Sequence, residues 1–207
     1  MNNIKNNQVT ICGEIAGEFV FSHEVYGEGF YVVDILALRM SGACDAIPVT
    51  VSERLIDVTQ NYIGQYVRVS GQFRSYNRRD ADKTRLSLSV FAQELEFVEK
   101  LMDDVNQIFL DGYICREPIY RKTPLGREIT DLLIAVNRSY GKSDYIPCVA
   151  WGRNAKYASG LEVGSHIWIC GRIQSRQYVK KLDDGSAEER TAYEVSVSKM
   201  EVVDNEE

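Results

Sequence analysis

An all-β protein of two tandem five-stranded barrels, with short helices, is what the 207-residue sequence predicts. Two observations predict it: a self-match at a spacing near one hundred residues, and alternating apolar and polar runs in each half. Asn7-Gln8 recurs as Asn106-Gln107, Gly13 as Gly112, Gly27 as Gly126, Arg39 as Arg138, Gly42 as Gly141, Asp45 as Asp144 and Ile47-Pro48 as Ile146-Pro147, always 99 positions on. One inserted residue shifts the offset to 100 for Gly64 and Gly164, Gly71 and Gly171, and Ser75 and Ser175. Leu95-Glu96-Phe97-Val98 returns as Met200-Glu201-Val202-Val203, and the extra residues fall in the polar stretch 181–190. Surface loops absorb such insertions. The predicted units are residues 1–101 and 102–207, with almost no linker.

In the second unit the predicted strands are 107–115, 129–136, 145–151, 166–178 and 191–203. The second is rich in Ile, Leu and Val, and the fifth alternates at Tyr193, Val195 and Val197. RNAKYASGLEVG, between the third and fourth, reads as a short helix closed by glycine. The first unit repeats the plan, with SERLIDVTQNYIG in the helix slot. Five short strands with a helix between the third and fourth is the plan of the OB-fold, a Greek-key barrel often used for oligonucleotides. A β-sandwich usually needs about seven strands.

Composition narrows the function. With 24 basic and 30 acidic residues, the net charge of -6 makes the chain no polycation, so nucleic-acid binding would need local basic surface. The five cysteines form no C-x-x-C pair, and there are only two histidines, His23 and His166; no metal site or cofactor is expected. No phosphate loop or nucleophile-base arrangement appears, and Asp183-Asp184 alone is a weak signal for a metal nuclease, so no enzyme is expected and no small-molecule substrate. MNNIKNNQVT lacks the pattern of a signal peptide, and no apolar run approaches the ~20 residues of a membrane span. The expectation is a cytoplasmic, nucleoid-associated protein with no membrane partner.

Alternation assigns faces. In the fourth strand Ile167, Ile169, Gly171 and Ile173 point inward, leaving His166, Trp168, Arg172, Gln174, Arg176 and Tyr178 outward. In the first unit Val67, Val69, Gly71 and Phe73 point inward, against Tyr66, Arg68, Gln72, Arg74, Tyr76 and Arg78 outward. Rings interleaved with guanidinium groups suit a single-strand groove, because bases stack on aromatic faces and arginines hold phosphates. The plain alternatives are a solvated strand face, or a dimer contact through Trp168 or Tyr66. Tyr145, Val149 and Trp151 share a face of the third strand, where the plain alternative for Trp151 is a core or interface residue.

The stretch from Tyr140 to Tyr178 resembles the bacterial single-stranded-DNA-binding protein family, in its duplicated, two-OB-fold form. The resemblance is carried by Tyr140, Tyr145, Trp151-Gly152-Arg153, Val163-Gly164-Ser165 and Gly171-Arg172-Ile173-Gln174-Ser175-Arg176-Gln177-Tyr178. It implies that Tyr140, Tyr145, Trp151 and Tyr178 stack bases. Phosphates are assigned to Arg121, Lys122, Arg127, Arg138, Arg153, Arg172 and Arg176, with Arg74 and Arg78 in the first unit. There the positions matching the four rings are Ser41, Ala46, Ser52 and Arg78, and Tyr76, two residues away on the same face, offers one ring for stacking. The first unit is therefore expected to bind weakly or to serve assembly.

The hairpin loops differ in charge as well. The second unit has Arg116, Arg121, Lys122 and Arg127 against Glu117 and Glu128; the first has Glu18, Glu24 and Glu28 with no Lys or Arg. Residues 101–182 hold 12 basic and 8 acidic side chains, while 183–207 hold 2 and 9. The chain ends at VVDNEE, so recruitment through a long acidic tail is not expected. The expected function is sequence-independent binding and protection of single-stranded DNA in replication, recombination or repair. Replication and repair proteins are the expected further partners, and a homodimer with four OB-folds is the expected assembly. The alternative is an OB-fold interaction module of replication or mobile-element machinery with little DNA binding.

Overall fold

The apolar members of the alternating runs meet in one connected core, from Val9, Ile11 and Ile35 in the first half to Ile134, Ile167 and Ile173 in the second. The computed structural model describes residues 5–80, 83–99, 105–181 and 185–203, and at 78–80, 83–85, 140 and 181 the backbone only. The predicted boundary at 101/102 and the acidic residues Asp183, Asp184, Asp204, Glu206 and Glu207 lie outside the described residues.

The first half runs β1 (Asn7–Ile15), β2 (Val20–Val25), β3 (Glu28–Leu38), β4 (Cys44–Ser52), β5 (Tyr66–Asp80) and β6 (Lys83–Val98). The second runs β7 (Asn106–Ile114), β8 (Ile119–Lys122), β9 (Glu128–Asn137), a 3-10 turn (Ser139–Gly141), β10 (Ser143–Trp151), α1 (Arg153–Ala158), β11 (His166–Lys181) and β12 (Ala187–Val202). Pairing closes a ring in each half. β3 pairs with β4, β4 in parallel with β6, β6 with β5, β5 with β1, and β1 back with β3. The second ring is β9, β10, β12, β11 and β7, again with one parallel pair. These are two tandem OB-fold barrels, and β1 pairs antiparallel with β7 to join them into one twelve-stranded sheet.

The repeated glycines mark where backbones touch. A Cβ at Gly13 would lie 2.4 Å from the Leu36 carbonyl oxygen, and one at Gly112 would lie 2.5 Å from that of Ala135, both where a ring closes. A Cβ at Gly71 would lie 2.1 Å from the Phe91 carbonyl oxygen, and one at Gly171 would lie 2.3 Å from that of Ser196, beside the register shift in each long hairpin.

Two expectations are corrected. Among the described residues each half has six strands, not five: β2 and β8 are hairpin arms outside the rings, exposed along their whole length. Period-2 patterning comes from burying one face, so arms that bury neither face carry no such signal. The first-half helix is also absent among the described residues, and 53–64 forms turns. Asp57 accepts bonds from the Thr59 N–H and hydroxyl at 3.1 and 2.6 Å, and Asn61 Oδ1 from the Ile63 N–H at 3.0 Å. Such local bonds compete with helix.

The other repeated residues hold the barrels together. The Asn7 amide exchanges bonds with the Phe73 backbone at 2.7 and 2.9 Å, and the Asn106 amide does the same with Ile173. Asp45 of β4 accepts from the backbone N–H of Ser175 on β11 at 2.7 Å; Asp144 of β10 accepts from that of Ser75 on β5 at 2.8 Å. Each barrel thus offers one carboxylate to the other's long hairpin.

Candidate nucleic-acid interface

That two-way clasp decides which of the predicted site residues reach solvent. Arg138 lies against fully buried Asp144 (Nε–Oδ2 3.2 Å), and Arg172 against fully buried Asp45 (Nη1–Oδ2 3.5 Å). Arg74 stands over the Phe91 ring at 3.8 Å and donates to Gln72, and burial lowers its pKa. Tyr76 is half-buried, and burial raises its phenol pKa. Gln174, assigned to the outward face, is buried and donates to Glu194 at 2.7 Å; Val149 is buried too. The middle of each long strand is therefore covered, through contacts of β5 with β10 and of β11 with β4. Alternation reports a strand's own pleat and cannot report a second barrel arriving on its outer face.

The two carboxylates of the clasp differ electrostatically. Burial pushes the Asp45 carboxyl up, but bonds from Arg39 and the Ser175 N–H, with the charges of Arg39 and Arg172, hold it below the ordinary range. Burial also pushes Asp144 up, and there Ser75, Arg138 and Arg74 offset only part, leaving it raised. The geometry agrees: Arg39 Nε reaches Asp45 Oδ2 at 2.6 Å, whereas Arg138 Nε and Asp144 Oδ2 have no hydrogen-bond partner.

Beyond the clasp the second barrel keeps an open rim. On β10, Tyr145 donates its backbone N–H to Ser75 Oγ at the edge of the clasp (2.8 Å) yet is 46% exposed, and Trp151 is half-buried, its indole Nε1–H donating to Ser196 Oγ of β12 at 3.2 Å. Six residues of strand place these rings about 20 Å apart along one face. Tyr178 is exposed on the β11–β12 arm, with Arg176 over its ring at 5.8 Å. Arg153 begins α1 and is exposed, directly after Gly152, whose positive φ of 56° turns the chain out of β10. Arg121, Lys122 and Arg127 are exposed on the β8–β9 hairpin, Arg121 paired with Asp131 (Nε–Oδ2 2.6 Å). The side chains of Tyr140 and Arg78 lie outside the described residues. Tyr145, Trp151, Tyr178, Arg121, Lys122, Arg127, Arg153 and Arg176 thus lie on the open rim; Arg74, Tyr76, Arg138 and Arg172 lie at the junction of the barrels.

Sequence reasoning missed Tyr120, an exposed β8 ring beside Arg121 that donates to Glu128 at 2.8 Å. It also missed a groove of about 1020 Å³ in the first barrel, lined by Phe21, His23, Tyr76, Glu18 and Asp34, with Tyr193 reaching in from β12. The ring-rich run EFVFSHEVYGEGFYV was its signal. No Lys or Arg among the described residues lines this groove. Among the described residues no His, Cys, Asp and Glu cluster could hold a metal ion, and no helix is long and apolar enough to cross a membrane.

Residues 105–203 match the Single-strand binding protein family. The chain is 34% identical over 80 residues to single-stranded DNA-binding protein B of Bacillus subtilis, covering 35% of this chain and 71% of that protein. It is 35% identical over 81 residues to single-stranded DNA-binding protein 2 of Listeria innocua, covering 36% of this chain and 51% of that one, so it spans about half that relative's length. In fold it is similar to the crystal structure of wild-type single-stranded DNA binding protein from Thermus aquaticus, with a TM-score of 0.76, 20% identity, and 96% and 93% of the two chains covered.

Proposed function

Since the chain belongs to the single-strand binding protein family, we propose that it binds single-stranded DNA without sequence preference, mainly on the second barrel. The observation that carries this reading is that the second barrel leaves Tyr145, Tyr178 and half-buried Trp151 open to solvent together with the exposed cations Arg121, Lys122, Arg127, Arg153 and Arg176. Bases stack on these rings, and the cations neutralise phosphates. Duplex DNA hides its base faces, so the rim selects single strands. The chemistry is stoichiometric binding, with no bond made or broken, and it fits protection of exposed strands in replication, recombination or repair in the cytoplasm. Arg138, Arg172 and Arg74, held at the clasp, contribute field to the strand rather than first contact. The first barrel binds weakly; what supports this is that the described lining of its groove holds Glu18 and Asp34.

The assembly we favour is a homodimer with four barrels. Its contact is the outer face of β5, β1, β7 and β11, where Phe109 and Trp168 lie 6.2 Å apart and Tyr113 stacks on His166 at 4.5 Å. Light scattering giving twice the chain mass supports this, and a monomer mass refutes it. DNA binding is tested by Trp151→Ala in a mobility-shift titration with an oligo-dT strand. Strong loss of affinity supports the proposal, and unchanged affinity refutes it.

A further inference from the structure

The twelve-stranded sheet has two open edges: β2 pairs with β3 alone at one end, and β8 with β9 alone at the other. An edge strand presents unpaired N–H and C=O groups, and proteins usually blunt it with Lys, Pro, a bulge or a covering element. β2, VFSHEV, has no Lys, Arg or Pro, its register with β3 shifts once between Phe21 and His23, and Val20 and Phe21 are 66% and 57% exposed. Its hairpin carries Glu18, Glu24 and Glu28. β8 exposes Ile119 and Tyr120 between the basic residues Arg116, Arg121, Lys122 and Arg127 and the acids Glu117 and Glu128. Arg121 is already paired with Asp131, so Arg116, Lys122 and Arg127 supply most of the basic character.

From these two edges we propose that β2 of one copy pairs with β8 of the next, continuing the sheet head to tail from chain to chain. Charge selects this pairing. β2 against β2 sets glutamates against glutamates, β8 against β8 sets cations against cations, and only the mixed pair is complementary. Its two surfaces differ, so the contact can repeat without closing and builds a row. A ladder four to six residues long buries little area, so free copies associate weakly. Copies held close together associate more, as they would be on one strand of DNA; that last consequence alone rests on the proposed binding.

Sedimentation velocity of the full chain without DNA tests the pairing, so that failure to bind DNA would leave its result standing. At about 50 mM salt the weight-average sedimentation coefficient of wild type rises with concentration beyond the basal assembly, and at about 500 mM it is flat. Glu18→Lys with Glu24→Lys makes both edges basic; Arg116→Glu with Lys122→Glu makes both acidic. Each double variant alone is flat at low salt, and an equimolar mixture rises again. A flat wild type, either variant rising alone as wild type does, or a flat mixture overturns the proposal. Unchanged circular dichroism shows that the exposed substitutions leave the fold intact.

Discussion

Asp45→Asn separates the two halves of the clasp. Asp45 is fully buried and accepts from Arg39 Nε at 2.6 Å, from a second Arg39 nitrogen, and from Ser175 N–H at 2.7 Å. Asparagine keeps one acceptor for Ser175 but loses the charge and turns an N–H₂ toward the Arg39 fork. Hydrogen bonds to charged groups contribute about 1.5–3 kcal/mol each. Arg39, 28% exposed, recovers part by turning to water, so a net loss of about 3 kcal/mol is expected. In a chain of this size that lowers the midpoint of thermal unfolding by about 6–12 °C. Asp144→Asn removes an ion pair whose facing atoms make no hydrogen bond, so its cost is about 1 kcal/mol or less. The pH trends differ in sign. Asp45, held below its ordinary value, stabilises the fold at every pH above that value, so the Asp45→Asn loss is constant from pH 7 down toward the ordinary 3.8 and fades only below it. Asp144 is held above its ordinary value, so wild type gains stability relative to Asp144→Asn as pH falls through the raised value toward 3.8. Thermal unfolding followed by circular dichroism at a series of pH values reads both. Equal losses in the two variants, or an Asp144→Asn protein that gains on wild type as pH falls, would refute the reasoning.

Other outcomes follow from the same geometry. Trp151→Ala weakens oligo-dT binding by about 5- to 150-fold, since base stacking is worth about 1–3 kcal/mol per ring across single-strand-binding proteins, this family included. Tyr76→Ala, half-buried at the junction, costs much less, and equal losses in a fluorescence-anisotropy titration would contradict the division between barrels. Gly171→Ala drives a Cβ to 2.3 Å from the Ser196 carbonyl and destabilises by about 1–3 kcal/mol. Gly17→Ala meets nothing within 4 Å and shifts urea unfolding by no more than about 0.5 kcal/mol.

The self-match was legible in the sequence because it preserves the residues that backbone contact and the clasp require. Gly13, Gly71, Asn7, Arg39, Asp45 and Ser75 recur because each half closes the same ring and grips the other half in the same way. The core face of β5 and β11 was legible from alternation: Val67, Val69, Ile167 and Ile169 are buried as expected. The outer face was legible only where nothing covers it. Arg176 and Tyr178 reach solvent, while Gln174 on the same side is buried. The arms β2 and β8 were not legible, because they bury neither face.

The central claim is that the second barrel binds single strands by stacking bases on its rim. Trp168→Phe leaves Trp151 as the only tryptophan of the two, so its emission reports that site directly. Titrating this variant with an oligo-dT strand should quench the emission to a sharp endpoint, and a duplex of equal length should leave it unchanged. With about five phosphates neutralised, the affinity should fall with salt at a log-log slope of about -3.5. No quenching by the single strand, together with no shift in a parallel mobility assay, would contradict the account and make the protein an interaction module instead.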